Sequence, residues 1–143
     1  MVAYSYKRRF VDPIRCGLGL PFDEIGALIR PKLHTIRSDR KRHARPGEEL
    51  QHYCGMRTKG CFLIGRARCT SVDEIRIYIN AGRVIIDPHT ADVVSYVKPK
   101  DLDQFAVSDG FDDWSDMREF WRSEHDEVTD LFIGVIIKWK PLS

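Results

Sequence analysis

The segment Lys32-Leu33-His34-Thr35-Ile36-Arg37 holds a primary amine, a hydroxyl and a guanidinium within six residues. If Leu33–Arg37 is extended, successive side chains alternate between faces. Leu33, Thr35 and Arg37 then share one face, His34 and Ile36 share the other, and Lys32 stands at the strand's start. A threonine hydroxyl is a nucleophile once a base removes its proton, and a lysine is such a base when burial or a nearby cation lowers its pKa. The plainer alternative is an ordinary strand threonine beside a solvated lysine. A second kind of chemistry is suggested just downstream. Arg37, Arg40, Lys41, Arg42 and Arg45 crowd a short stretch with a single acid, Asp39. Such a loop can clamp phosphates or simply remain solvated. Arg57 and Lys59 sit in a Gly-rich turn that can close a cleft from another side, and Tyr53 offers a ring for base stacking or for the core.

The rest of the chain must position these groups. It has 143 residues, 43% hydrophobic and 31% charged, an ordinary balance for one folded domain over residues 1–143. Net charge is only +2, but it is unevenly spread: Arg30 to Arg45 is basic, whereas Asp101 to Asp130 is rich in acids with only two Arg. That excludes a polycation and leaves a candidate anion-binding face. No apolar run approaches the roughly 20 residues of a membrane-spanning helix, and the basic start, Met1 to Phe10, lacks the apolar core of a signal peptide. Cys16, Cys54, Cys61 and Cys69 do not follow zinc-site spacing, although Cys54 and Cys61 could close a loop around a metal. We expect reduced thiols, a cytoplasmic protein, no metal and no cofactor. Oligomeric state is not legible.

Periodicity predicts a strand at Ser5–Val11, a helix at Phe22–Ile29 ended by Pro31, and strands at Leu33–Arg37, Glu49–Tyr53 and Cys61–Ser71. Asn80-Ala81-Gly82 marks a hairpin between Glu74–Ile79 and Arg83–Asp87. A short helix is expected at Asp101–Val107. A stronger one, Asp113–Ser123, is capped by Asp113 or Ser115, with Trp114, Met117, Phe120 and Trp121 on one face. Leu131–Trp139, almost wholly apolar, reads as a final, central strand. Connections this short favour a small mixed, mostly antiparallel α+β barrel over a layer built from parallel crossovers.

Several motifs, in this order along the chain, resemble the ASCH domain family of the PUA-like superfamily. Lys32-Leu33-His34-Thr35-Ile36-Arg37 is similar to the family's K-x-x-T-I-R segment. Pro46-Gly47-Glu48-Glu49-Leu50 resembles its P-G-D-x-L turn. Tyr53 to Cys61 resembles a G-M-R-T-K-x-C stretch, and Ser108-Asp109-Gly110-Phe111 precedes a W-x-x-M-x-x-F-W helix and a closing strand. The resemblance implies a mixed, mostly antiparallel β-barrel with two or three short helices, and a cleft that binds RNA or a modified nucleoside. It also implies an alternative, the amidohydrolase activity of the small acetylcytidine amidohydrolases, carried by a lysine, a threonine three residues on, and a glutamate. Lys32 and Thr35 match the first two; Asp109 is the nearest counterpart of the glutamate, one residue out of spacing and one methylene shorter. An acid there would protonate the leaving amine, with Arg37 steadying the substrate's polar edge. A protein-interaction module, its basic loop meeting an acidic partner, is a third reading.

Overall fold

The computed structural model describes residues 2–21, 29–38, 42–124 and 130–142. The chain opens with β1 (Val2–Tyr6), in which Val2, Tyr4 and Tyr6 point inward and Ala3 and Ser5 do not. This overturns the expected strand at Ser5–Val11. After Tyr6 the apolar residues Phe10, Val11, Ile14 and Leu18 follow helical spacing, and they bury one face of a 3-10 turn (Arg8–Phe10) and of α1 (Val11–Leu18). Pro13 is tolerated there because the first-turn N–H groups have no intrahelical partner. Most of the helix expected at Phe22–Ile29 lies outside the described residues.

The remaining elements are β2 (His34–Ser38), β3 (Glu49–Cys54), β4 (Phe62–Tyr78), β5 (Arg83–Ile86), β6 (Val94–Tyr96), α2 (Pro99–Ser108), α3 (Trp114–Glu124) and β7 (Leu131–Pro141). The strands expected at Cys61–Ser71 and Glu74–Ile79 are one 17-residue strand, β4. The Val72-Asp73 step is no break, because these residues pair with Ile137 and Ile136 of β7; that ladder shifts register between Cys69 and Ser71, and the ladder with β3 shifts at His52/Tyr53. The helix α3 starts where Asp113 caps it, its carboxylate accepting the Asp116 N–H at 2.8 Å. Trp114, Met117 and Trp121 are buried on its inner face, whereas Phe120 is half-buried and packs on Phe10 and Phe111. The short β6, absent from the expectation, adds an edge strand to β5.

The seven strands of the described residues form one mixed sheet. β4 pairs with β3 along its first part, with β5 along its last part, and with β7 along most of its length. β7 is internal, between β4 and β2, and Ile136 and Ile137 are fully buried. β1 joins β3 in parallel, so the sheet is not wholly antiparallel. The sheet is not closed into a barrel: no backbone ladder joins β1 to β2 among the described residues. A side chain spans that seam instead, as the Arg37 guanidinium on β2 donates to the Ser5 carbonyl on β1 at 2.8 Å. β2 can lie close on β7 because residue 134 is glycine. A Cβ there would sit 2.3 Å from the Arg37 carbonyl oxygen.

Candidate functional site

The seam between β1 and β2 opens into a cleft of about 340 Å³, covered by the 3-10 turn, the end of α2 and one face of α3. Its polar floor is Tyr6, Lys32, Thr35, Arg37 and Asp109. Its walls are the rings of Phe10, Phe111, Phe120, Trp121 and Phe132. Lys7 and Glu124, both largely exposed, form an ion pair of 2.9 Å at the rim.

Backbone bonds pin the site from both sides. The Lys32 N–H donates to the Pro13 carbonyl of α1 at 2.9 Å, and the Leu33 N–H donates to the Ser108 carbonyl of α2 at 2.8 Å. Asp109 caps the C-terminus of α2, its own N–H donating to the carbonyls of Phe105 and Ala106. The next residue, Gly110, has φ +94°, and a Cβ there would lie 2.9 Å from Phe10 and 3.1 Å from the Lys32 stem. Glycine therefore satisfies both the backbone turn and the approach of Lys32.

Lys32 and Asp109 are 77 residues apart in sequence and meet in the interior, 3% and 4% exposed. The Lys32 Nζ donates to Asp109 Oδ1 at 2.8 Å and to the Asp109 main-chain oxygen at 2.5 Å. It also lies 4.8 Å from the centre of the Phe10 ring. Burial pushes the Lys32 pKa down and the Asp109 pKa up, each only partly opposed by the other's charge. Both shifts favour the uncharged forms, which are the base and the acid that proton transfer requires.

Thr35, also buried, accepts a hydrogen bond from Arg37 Nε at 3.0 Å. The Tyr6 hydroxyl is a second polar neighbour of this side chain. Arg37 stacks over the rings of Tyr4 and Tyr6, with its carbon 5.3 and 4.9 Å from their centres. Thr35 and Arg37 line the cleft together, but Leu33 does not join them; it is 46% exposed and lies outside it. His34 is buried, stacked on Phe105, with Nε2 at 3.5 Å from Asp109 Oδ1. That approach lacks hydrogen-bond geometry. Burial first, then Lys32 and Lys138, hold the His34 pKa well below the usual histidine range, so the ring is neutral and makes no ion pair.

Among the described residues, the expected nucleic-acid contacts other than Arg37 do not line the cleft. Arg40 and Lys41 lie outside the described residues. Arg42 is paired with Glu48 at 2.5 Å, and Arg45 is exposed while its N–H donates to the same carboxylate. Tyr53 is half-buried and donates to the Gln51 side chain at 2.9 Å. Arg57, at φ 66°, and Lys59 are exposed in a turn that rests on β1 through the Met56 N–H and the Ser5 hydroxyl. Neither lines the cleft. Among the described residues no group of His, Cys, Asp or Glu gathers to hold a metal. Cys54 is buried, Cys61 exposed, and both are free thiols.

Two features of the cleft were missed from the sequence: Tyr6 and the aromatic wall. Tyr6 is detectable only when the first strand is placed at Val2–Tyr6, where alternation turns it inward. Compared with protein-family models, with curated proteins and with solved structures, the chain finds no match in any of the three.

Proposed function

We propose that the cleft takes the planar base of a nucleoside and hydrolyses an acyl amide on its exocyclic amine, the reaction suggested by the ASCH-like motifs. The observation that carries this reading is the buried Lys32–Asp109 pair, 2.8 Å apart, on the floor of a ring-walled cleft that Thr35 also lines. A buried lysine–carboxyl pair is expensive to maintain for stability alone, and strongly shifted acids and bases in a cleft mark catalytic sites more often than other positions do. The aromatic walls suit a flat heterocycle.

The steps follow from the residues. Thr35 Oγ attacks the acyl carbon while its proton passes to the Lys32 amine, so a C–O bond forms and the carbonyl oxygen becomes an oxyanion. Collapse breaks the C–N bond, and the leaving amine takes a proton from the Lys32–Asp109 pair. Water then attacks the Thr35 ester, its proton passing to the same pair; collapse breaks the ester C–O bond, Thr35 Oγ takes that proton back, and the carboxylic acid leaves. The shorter acid is no obstacle in this chain, because Asp109 contacts Lys32 directly.

The seam bridged by Arg37 supports the finer reading of the sheet as an opened PUA-like barrel, and free thiols fit a reducing compartment such as the cytoplasm. Recognition of RNA as a polymer is less favoured, because the described member of the central Arg/Lys triplet, Arg42, is already neutralised by Glu48. The test is incubation of the purified protein with a panel of N4-acylated cytidines, with products read by mass spectrometry. Release of cytidine by wild type, lowered at least about a hundredfold in Lys32→Met, is expected. Binding of nucleosides without hydrolysis of any panel member would reduce the protein to a binding module.

A further inference from the structure

Tyr6 is 6% exposed, lines the cleft, and its hydroxyl has no hydrogen-bond partner among the described residues. A buried hydroxyl left unpaired is destabilising, and the cost is normally avoided by a partner. Thr35 and Arg37 stand beside it, but no described neighbour meets hydrogen-bond geometry with it, and the ring is held firmly. It packs edge-on against His52, with centres 5.2 Å apart, and under the Arg37 guanidinium at 4.9 Å. Thr35 and Arg37 lie near enough to influence its titration, yet burial dominates and pushes the phenol far above its ordinary pKa. Burial thus favours the neutral phenol, which is a hydrogen-bond donor. It stands beside the nucleophile with its proton uncommitted.

We infer that Tyr6 is the oxyanion donor of the site: its O–H is held for the carbonyl oxygen that becomes negative when Thr35 attacks. This rests on the hydrolase reading above. The logic is electrostatic. A donor fixed in a water-poor site, with no bond to give up, acts most strongly where charge develops, and removing one such donor costs on the order of a hundredfold or more in kcat. No proton leaves Tyr6 in the step. It donates a hydrogen bond while the C–O bond forms, and weakens that bond again as the C–N bond breaks and the carbonyl reforms. Arg37 is less suited to this role, because its Nε and Nη2 are already committed to Thr35 and Ser5.

Tyr6→Phe isolates the hydroxyl, since the ring keeps its packing. Steady-state kinetics on N4-acetylcytidine should show kcat lowered about a hundredfold with KM changed less than about threefold. Thermal melting should be unchanged or raised, because an unpaired buried hydroxyl has been removed. A purely structural tyrosine would instead lower the melting temperature and leave kcat of the folded fraction alone. A second comparison uses the thioacetyl analogue, whose sulfur accepts hydrogen bonds poorly. Its rate penalty relative to the oxygen substrate should be large in wild type and much smaller in Tyr6→Phe. Wild type without turnover would sink the hydrolase reading itself. Turnover in wild type, with equal kcat in Tyr6→Phe or equal thio penalties in both proteins, would overturn the role of Tyr6 and leave the hydrolase standing.

Discussion

His52 makes the fold sensitive to acid in a way that can be worked through. The residue is fully buried on β3, wedged against Trp139 at 4.3 Å and Tyr6 at 5.2 Å between ring centres. Neither ring nitrogen has a hydrogen-bond partner among the described residues. Burial, then the charges of Lys32 and Arg37, push its pKa down to about 3. An unfolded histidine titrates near 6.5. The folded state thus resists a proton that the unfolded state accepts, so stability is flat above about pH 6.5 and falls as pH drops from there towards 3. One pKa unit is worth about 1.4 kcal/mol, so at pH 4.5 His52 alone removes roughly 2.7 kcal/mol. His34 acts in the same direction. Asp109 acts in the opposite one, since its raised pKa makes the folded state the better proton binder in mild acid. A variant is therefore needed to isolate His52. His52→Leu keeps the volume and removes the titration. Urea unfolding followed by circular dichroism at pH 7.0, 5.5 and 4.5 should show wild type losing about 2–3 kcal/mol more than His52→Leu across that range. At pH 7.0 the variant should be as stable as wild type or slightly more so, because an unpaired polar ring is replaced by an apolar side chain. Parallel pH profiles for the two proteins would refute the argument.

Three further outcomes are expected. Lys32→Met leaves Asp109 buried without its partner, so this variant should lose stability as pH rises from 4 to 8, where an unpaired carboxyl would have to ionise; urea titrations at those two pH values check it. Gly134→Ala forces a Cβ into the Arg37 carbonyl oxygen and should cost on the order of 3 kcal/mol, read by chemical unfolding, and disturb the cleft through β2. Replacing Arg40, Lys41 and Arg42 together with Ala should reduce by about one to two the slope of log K against log salt for any RNA that binds, Arg42 being already paired, and leave hydrolysis of free nucleosides unchanged.

Much of the architecture was legible because several elements bury one face each. The apolar run of β7 and the Trp114, Met117 and Trp121 spacing of α3 identify a central strand and a packed helix without further information. The first element was misread because Ser5–Val11 alternates by chance; the true signal was the helical spacing from Phe10 to Leu18, masked by Pro13. β4 looked like two strands because polar residues at its middle suggest a break, and only pairing to β7 explains them. At the site, strand geometry alone brings Thr35 and Arg37 together. The partnership of Lys32 with Asp109 joins residues 77 apart, and no local pattern encodes it. The neutralisation of Arg42 by Glu48 is likewise a property of the folded loop and not of the charge run.

The most direct test of the account is to catch the covalent intermediate. Wild-type protein turning over N4-acetylcytidine would be quenched in acid, weighed intact and digested for peptide mapping. One acetyl group on the peptide containing Thr35, absent from Thr35→Val and from Lys32→Met, is the predicted result. Release of cytidine with no acetyl group on the protein, or with the group on any other residue, would contradict it.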